Sequence, residues 1–144
     1  VVLKAPKMRM TRQRKVILDV LRQMDHHPSA DEIYELVRKQ LPRISLGTVY
    51  RNLEVLSELG EVRKIEHSGS LKRFDGHPHN HYHIRCMRCD RVEDAPIGLL
   101  EDLENKLTGE TSYQVMGHRL EFIGLCERCA SKIPTHGHEK ALIL

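Results

Sequence analysis

Two C-x-x-C pairs limit what this chain can fold into more than any other feature. Cys86 and Cys89 stand in "CMRC", Cys126 and Cys129 in "CERC", and 36 residues lie between the pairs. Each turn presents two sulfurs to one point, and four thiolates suit a closed, tetrahedral structural zinc site. A closed shell leaves no position for substrate, so it predicts architecture rather than catalysis. The separation exceeds that of a zinc ribbon, so the site would pin a distant C-terminal segment to an earlier strand. Redox pairing is the competing reading, and two matched pairs in a reducing cytosol argue against it.

Just upstream, "RFDGHPHNHYHIRC" crowds Asp75, His77, His79, His81 and His83 into a short run. His81 and His83 lie two apart on an expected strand, so both imidazoles face one side and Tyr82 the other. Nitrogen and oxygen ligands suit iron, manganese or zinc, and open positions around such an ion permit chemistry. Asp75 and Asp94 are candidate oxygen ligands, and His27 is a candidate nitrogen ligand from far upstream. His77 and His79 flank Pro78 and read as loop.

The first half has helical spacing. "MTRQRKVILDVLRQM" offers Thr11 as an N-cap, then Val16, Ile17, Val20, Leu21 and Met24. In "HHPSADEIYELVRKQL", Ser29 and Glu32 form a capping box ahead of Ile33, Leu36, Val37 and Leu41, and Pro42 ends the run. A third helix starts at Ser45, repeats Leu46, Val49, Leu53, Leu56 and Leu59, and stops at Gly60. "EVRKIEHSGSLKRFD" then reads as a hairpin turning at Ser68-Gly69-Ser70. Three helices and a hairpin make a winged helix-turn-helix, whose third helix enters the major groove. Beyond the histidines, the sequence predicts strands at "HYHIRC" and "RVEDA", an amphipathic helix in "IGLLEDLENKL" ended by Gly109, and a strand in "YQVMGHRLEFIGLC". The tail "THGHEKALIL" carries no clear signal.

Charge divides the chain the same way. Residues 1–74 carry fifteen Lys and Arg against nine Asp and Glu, whereas residues 75–144 carry eight against eleven. A basic first half suits a polyanion. With the leucines buried, the third helix would expose Ser45, Thr48, Tyr50, Arg51 and Asn52. Arg and Asn read guanine and adenine edges, while Ser, Thr and Tyr hold phosphates. Arg12, Arg14 and Lys15, with Lys72 and Arg73 near the wing, are further candidates for phosphate contact. Aromatic content of 4% argues against a stacking platform for single strands. No apolar run approaches the roughly 20 residues of a membrane span. "VVLKAPKMRM" lacks the apolar stretch of a signal peptide, so a cytoplasmic address without membrane contact is expected.

These landmarks together, "TRQRKVIL", "HPSADEIY", "LGTVYRNLEVL", "RFD", "HYHIRCMRC" and "CERC", resemble the ferric uptake regulator family of metal-dependent bacterial repressors over nearly the whole chain. The resemblance implies an α+β protein: a winged-helix DNA-binding domain over 1–75, then a small α/β dimerisation domain over 76–144. It implies homodimers on palindromic, A·T-rich double-stranded operators. Zinc at Cys86, Cys89, Cys126 and Cys129 would be structural. A regulatory Fe²⁺ or Mn²⁺ would sit between the domains on His27, Asp75, His81, His83 and Asp94. Asp75 and Asp94 stand where iron-uptake members carry glutamates, so the site resembles the peroxide-sensing branch. There, Fe²⁺ reacts with peroxide and a ligand histidine is oxidised; His27 and His81 are the positions nominated. A further family site would use Glu101 and His118, but Asn80 and Tyr82 replace its other ligands, so it is expected absent or weak. Arg51 looks closer to the iron-uptake members. An iron- or zinc-responsive repressor without oxidation chemistry is the nearest alternative. A metalloenzyme using the His/Asp site is the alternative of another class, and no general base or substrate pocket suggests it.

Overall fold

Thr11, Ser29 and Ser45 each stand one residue ahead of an apolar-periodic run, and each starts a helix. The structure, a computed structural model, describes residues 8–133. The Thr11 hydroxyl accepts from the Arg14 N–H and opens α1, Arg12–Gln23. Ser29 and Glu32 form their reciprocal box at the head of α2, Ala30–Val37. Ser45 accepts from the Thr48 N–H at the head of α3, Leu46–Glu58. Each cap satisfies an amide that a first turn otherwise leaves without a partner.

α2 is shorter than Pro42 suggests. From Lys39 and Gln40 the amides bond three residues back instead of four, and this tighter winding brings Leu41 against the core. Ile17, Val20 and Leu21 meet Ile33 and Val37, and Val49, Leu53 and Leu56 close the cluster. A hairpin of β1, Arg63–Ile65, and β2, Arg73–Asp75, sends Phe74 into the same core. Its turn places Gly69 at φ 80°, which a residue without Cβ adopts at no steric cost. These elements form the expected winged helix.

The second half is a three-stranded sheet. β3, His83–Cys86, lies centrally, antiparallel to β4, Val92–Asp94, and parallel to β5, Glu121–Gly124. One turn of helix, α4, Glu127–Ala130, follows Cys126. The architecture is therefore α+β. Among the described residues, no helix is long and apolar enough to cross a membrane.

Two expectations fail here. The stretch "IGLLEDLENKL" forms only a 3-10 turn at Glu104–Leu107 with no buried residue. Asp102 sits at φ 63°, outside helical geometry, and Leu99, Leu100 and Leu107 stay exposed. A short helix needs a surface to bury its apolar face against, and among the described residues this segment finds none. Of "YQVMGHRLEFIGLC", only Glu121–Gly124 becomes strand. The tail 135–144 lies outside the described residues.

The halves meet at the residues just after α1 and just after β2. The His27 N–H donates to the Val92 carbonyl at 2.8 Å, and Arg22 Nε donates to the Gly76 carbonyl at 3.0 Å. Gly76 is required by proximity: a Cβ there would lie 2.9 Å from Arg22 Cγ and 3.2 Å from Leu21 Cγ.

Candidate metal centre

The two cysteine pairs converge. One sulfur from each of Cys86, Cys89, Cys126 and Cys129 lies within 4.8 Å of the other three, and all four are free thiols. The knuckle after β3 closes through the Asp90 N–H to the Cys86 carbonyl at 2.9 Å. The second pair is carried in by β5, whose Gly124 carbonyl accepts from Met87 N–H at 2.9 Å. Cys89 Sγ and Cys126 Sγ are 3.8 Å apart. A tetrahedron with Zn–S arms of about 2.3 Å has edges of about 3.8 Å, so the spacing fits a bound ion and not a disulfide. Burial raises the Cys86 thiol, but the N–H groups of Cys126, Cys89 and Arg88 outweigh it and bring its pKa to about 6. Burial and the neighbouring sulfurs push Cys129 up to about 12. Four thiols this close cannot all ionise without a cation among them.

A second cluster sits at the seam. His27, Asp75, His81, His83 and Asp94 each place a donor atom within 4.8 Å of the rest. His27 comes from the loop between α1 and α2, Asp75 ends β2, His83 opens β3, and Asp94 ends β4. His81 precedes β3 rather than lying in it, yet it still reaches the same side as His83. His27 Nε2 lies 2.8 Å from Asp94 Oδ1, and His83 Nε2 lies 3.3 Å from Asp75 Oδ2.

His81 Nε2 is the informative atom. It lies 2.9 Å from an oxygen of Asp75 and 2.9 Å from one of Asp94. It is buried and has no hydrogen-bond partner. A buried polar atom without a hydrogen bond is costly, and a cation at the common point of the five donors would satisfy it. Burial pushes the His27 pKa below its ordinary value, against the opposing pull of Asp75 and Asp94. That holds the ring neutral, the form that offers a lone pair. Burial raises Asp75, but His83, the His77 N–H, His27 and His81 together hold it below the usual carboxylate range. A fully buried carboxylate beside a second one asks for positive charge. The donor set of nitrogens and oxygens therefore fits a divalent transition ion.

His118 belongs to neither cluster. Its Nδ1 meets Glu104 Oε1 at 2.6 Å, its Nε2 meets the Tyr82 hydroxyl, and that hydroxyl accepts from the Leu100 N–H. Glu101 is exposed and takes no part. His77 and His79 are exposed loop residues.

The DNA-facing expectations divide. Arg12, Lys15, Ser45, Tyr50 and Arg51 are exposed, although Ser45 is engaged as a cap and Tyr50 donates to Asp31 at 3.3 Å. Asn52 is not exposed. It is 6% accessible, its Nδ2 donates to the Thr48 carbonyl, and its Oδ1 accepts from Arg14 Nε. Position 52 falls three residues after Val49 and four before Leu56, on the buried face of α3. Arg14 is correspondingly half-buried, and Thr48 is half-buried too. Arg73 is also removed from any phosphate: it is 7% accessible and donates to the His27 carbonyl at 3.0 Å. Lys72 is tied to Glu66 at 3.1 Å. Asp90 and Arg85 escaped the sequence reading. The available signal was a residue directly after a cysteine knuckle, a place that often demands positive φ.

With this geometry in view, comparison with known proteins is specific. The model of the ferric uptake regulator family matches residues 5–123. The peroxide-responsive repressor PerR of Staphylococcus aureus is 39% identical over 124 residues, covering 86% of this chain and 84% of that one. The peroxide stress regulator of Campylobacter jejuni superposes with a TM-score of 0.60 at 30% identity, covering 81% of this chain and 88% of that one. The ferric uptake regulator of Vibrio cholerae gives a TM-score of 0.66 at 29% identity, covering 83% and 92%.

Proposed function

Because this chain belongs to the ferric uptake regulator family, a family of metal-responsive regulators, we propose that it is a homodimeric, cytoplasmic transcriptional repressor that releases its operator when peroxide oxidises the His27/His81 site. The observation that carries the reading is the seam cluster, in which His27 of the DNA-binding half shares one donor set with His81, His83 and Asp94 of the other half. The 39% identity to a peroxide-responsive repressor supports the choice of signal.

Cys86, Cys89, Cys126 and Cys129 would hold Zn²⁺ as a structural ion. His27, Asp75, His81, His83 and Asp94 would hold Fe²⁺ or Mn²⁺. Bound there, Fe²⁺ would supply the electrons for reduction of peroxide beside the ligand rings. The chain's own contribution is positional. His27 is fixed to β4 through its N–H on Val92, so a ligand set that includes it favours the closed arrangement of the halves. Asp75, held below the usual carboxylate range, stays ionised, and with Asp94 it holds the three imidazoles on one point. Oxidation of His27 or His81 removes a donor and with it the preference for that arrangement.

Arg12, Lys15, Tyr50 and Arg51 face outward from α1 and α3 toward double-stranded, palindromic DNA rich in A·T. Ile84 and Phe122, paired in register on β3 and β5, are exposed on one face of the sheet, and that face would be covered by a second copy. The protein acts by binding, with no turnover.

The test compares Fe²⁺- and Mn²⁺-loaded protein on duplex DNA, before and after hydrogen peroxide. The expected result is DNA release in the iron form alone, with one oxygen atom added to the peptide holding His27 or His81. Release without mass gain on either histidine leaves a metal-responsive repressor and sinks the oxidation chemistry.

A further inference from the structure

Asp90 follows the first cysteine pair directly and sits at φ 62°. Non-glycine residues are uncommon there, and glycine would be the unstrained choice for closing a knuckle. The aspartate side chain is engaged in return. Its Oδ1 accepts from Ser70 Oγ at 3.0 Å and from Arg85 Nη1 at 2.7 Å, and its Oδ2 lies 3.8 Å from Arg73 Nε. Ser70 belongs to the turn of the β1–β2 hairpin, Arg73 to β2, and Arg85 to β3. One carboxylate therefore joins the cysteine knuckle to the wing.

Arg73 extends the connection. Its Nη1 donates to the His27 carbonyl at 3.0 Å, while its buried Nε has no hydrogen-bond partner. Asp90 Oδ2, 3.8 Å from that Nε, and Glu32 Oε2, 3.6 Å from Nη1, together oppose a largely buried positive charge. The path runs from the Cys86–Cys89 turn through Asp90 and Arg73 to the backbone of His27.

We propose that Asp90 is a latch through which the filled four-cysteine site holds the wing and His27 in the closed arrangement, raising the affinity of the seam site for its metal. The inference rests on the metal assignments proposed above. Removing the latch lowers the closed fraction, and apparent metal affinity falls by the same factor. Loss of charge-assisted hydrogen bonds to a partly exposed carboxylate corresponds to about a five- to tenfold weakening.

The experiment uses full-length, zinc-loaded protein as wild type, D90G and D90N, with Mn²⁺ as the probe ion. D90G suits the left-handed turn and so keeps the knuckle, while D90N keeps an acceptor oxygen for Ser70 and Arg85. All three should retain one zinc per chain. Mn²⁺ affinity, read by competition with a chelating dye, should fall about five- to tenfold in D90G, with D90N between. Without Mn²⁺, amide exchange should quicken at His27 and across residues 63–75 in D90G. Wild-type Mn²⁺ affinity in fully zinc-loaded D90G overturns the latch, as does a weakening that tracks lost zinc. A wild-type protein that takes up Mn²⁺ but binds no duplex DNA overturns the proposed function instead, and the Mn²⁺ titration still decides the latch.

Discussion

The two halves of the chain are held together by different means. In the first, thirteen residues between Ile17 and Phe74 form one buried apolar cluster, and eight of them are Ile, Leu or Val from α1 to α3 with 5% accessibility or less. In the second, the buried apolar residues are few: Tyr82, Val92, Ala95 and two of the cysteines. Its larger apolar side chains, Ile84, Phe122, Ile123 and Leu125, lie exposed instead. One half is a hydrophobic core with a surface. The other is a small sheet whose larger apolar side chains stay exposed, flanked by two clusters of donor atoms. With the proposed metals in place, the second half is conditional in a way the first is not. A core formed by burial is always on, whereas a fold completed by ligation depends on what the surroundings supply.

Stripping the four-cysteine metal is the strongest way to sharpen this contrast. Apparent binding free energies of structural zinc run to about 10–16 kcal/mol in small peptides, as much as a whole domain's stability. Chelation, or Cys129→Ser, should abolish amide protection in β3, β4 and β5 while α1 to α3 keep theirs. Helices that melt along with the sheet would break the contrast. Next in size is Leu53→Ala, which empties a fully buried position at the centre of the first half. It should cost about 2–5 kcal/mol in denaturant unfolding and leave zinc content untouched.

The smallest effect belongs to the seam and appears with acid. Burial lowers the His27 pKa in the folded protein, so folding excludes a proton from that ring. The stability concerned is fully present above the unfolded value of about 6.5 and is lost as pH falls from there toward the folded pKa. Zinc-loaded protein free of the seam metal should therefore melt at lower temperature at pH 5.5 than at pH 7.5, and His27→Gln should flatten that slope. A slope unchanged in the variant would assign the titration to another group. The first half's apolar core carries no such dependence.

Much of this was legible in the sequence because the signals were local. Thr11, Ser29 and Ser45 announce their helices within four residues, and the two C-x-x-C pairs announce each other's chemistry. The five seam residues were also named from the sequence, because their donor types and the resemblance pointed the same way. What escaped was set by three-dimensional context. Asn52 is polar and reads as a groove-facing residue, yet helical phase puts it beside Val49 and Leu56, where Arg14 satisfies it. Arg73 and Asp75 alternate with Phe74, so a two-sided strand would expose one face. β2 is buried on both, between the helical core and the seam. Residues 97–107 carry a leucine pattern but meet no surface among the described residues to receive it, and the helix does not form.

The parallel pairing of β5 with β3 carries a further consequence, in time. Every member of the helical core lies within residues 17–74, so its contacts are complete once that stretch is synthesised. The four-cysteine site waits for Cys129, and β5 arrives only just before it. At roughly 5–20 residues per second on the ribosome, the 55 residues from Asp75 to Cys129 take about 3–11 s. For those seconds each newborn molecule is a helical module whose four-cysteine site is still incomplete.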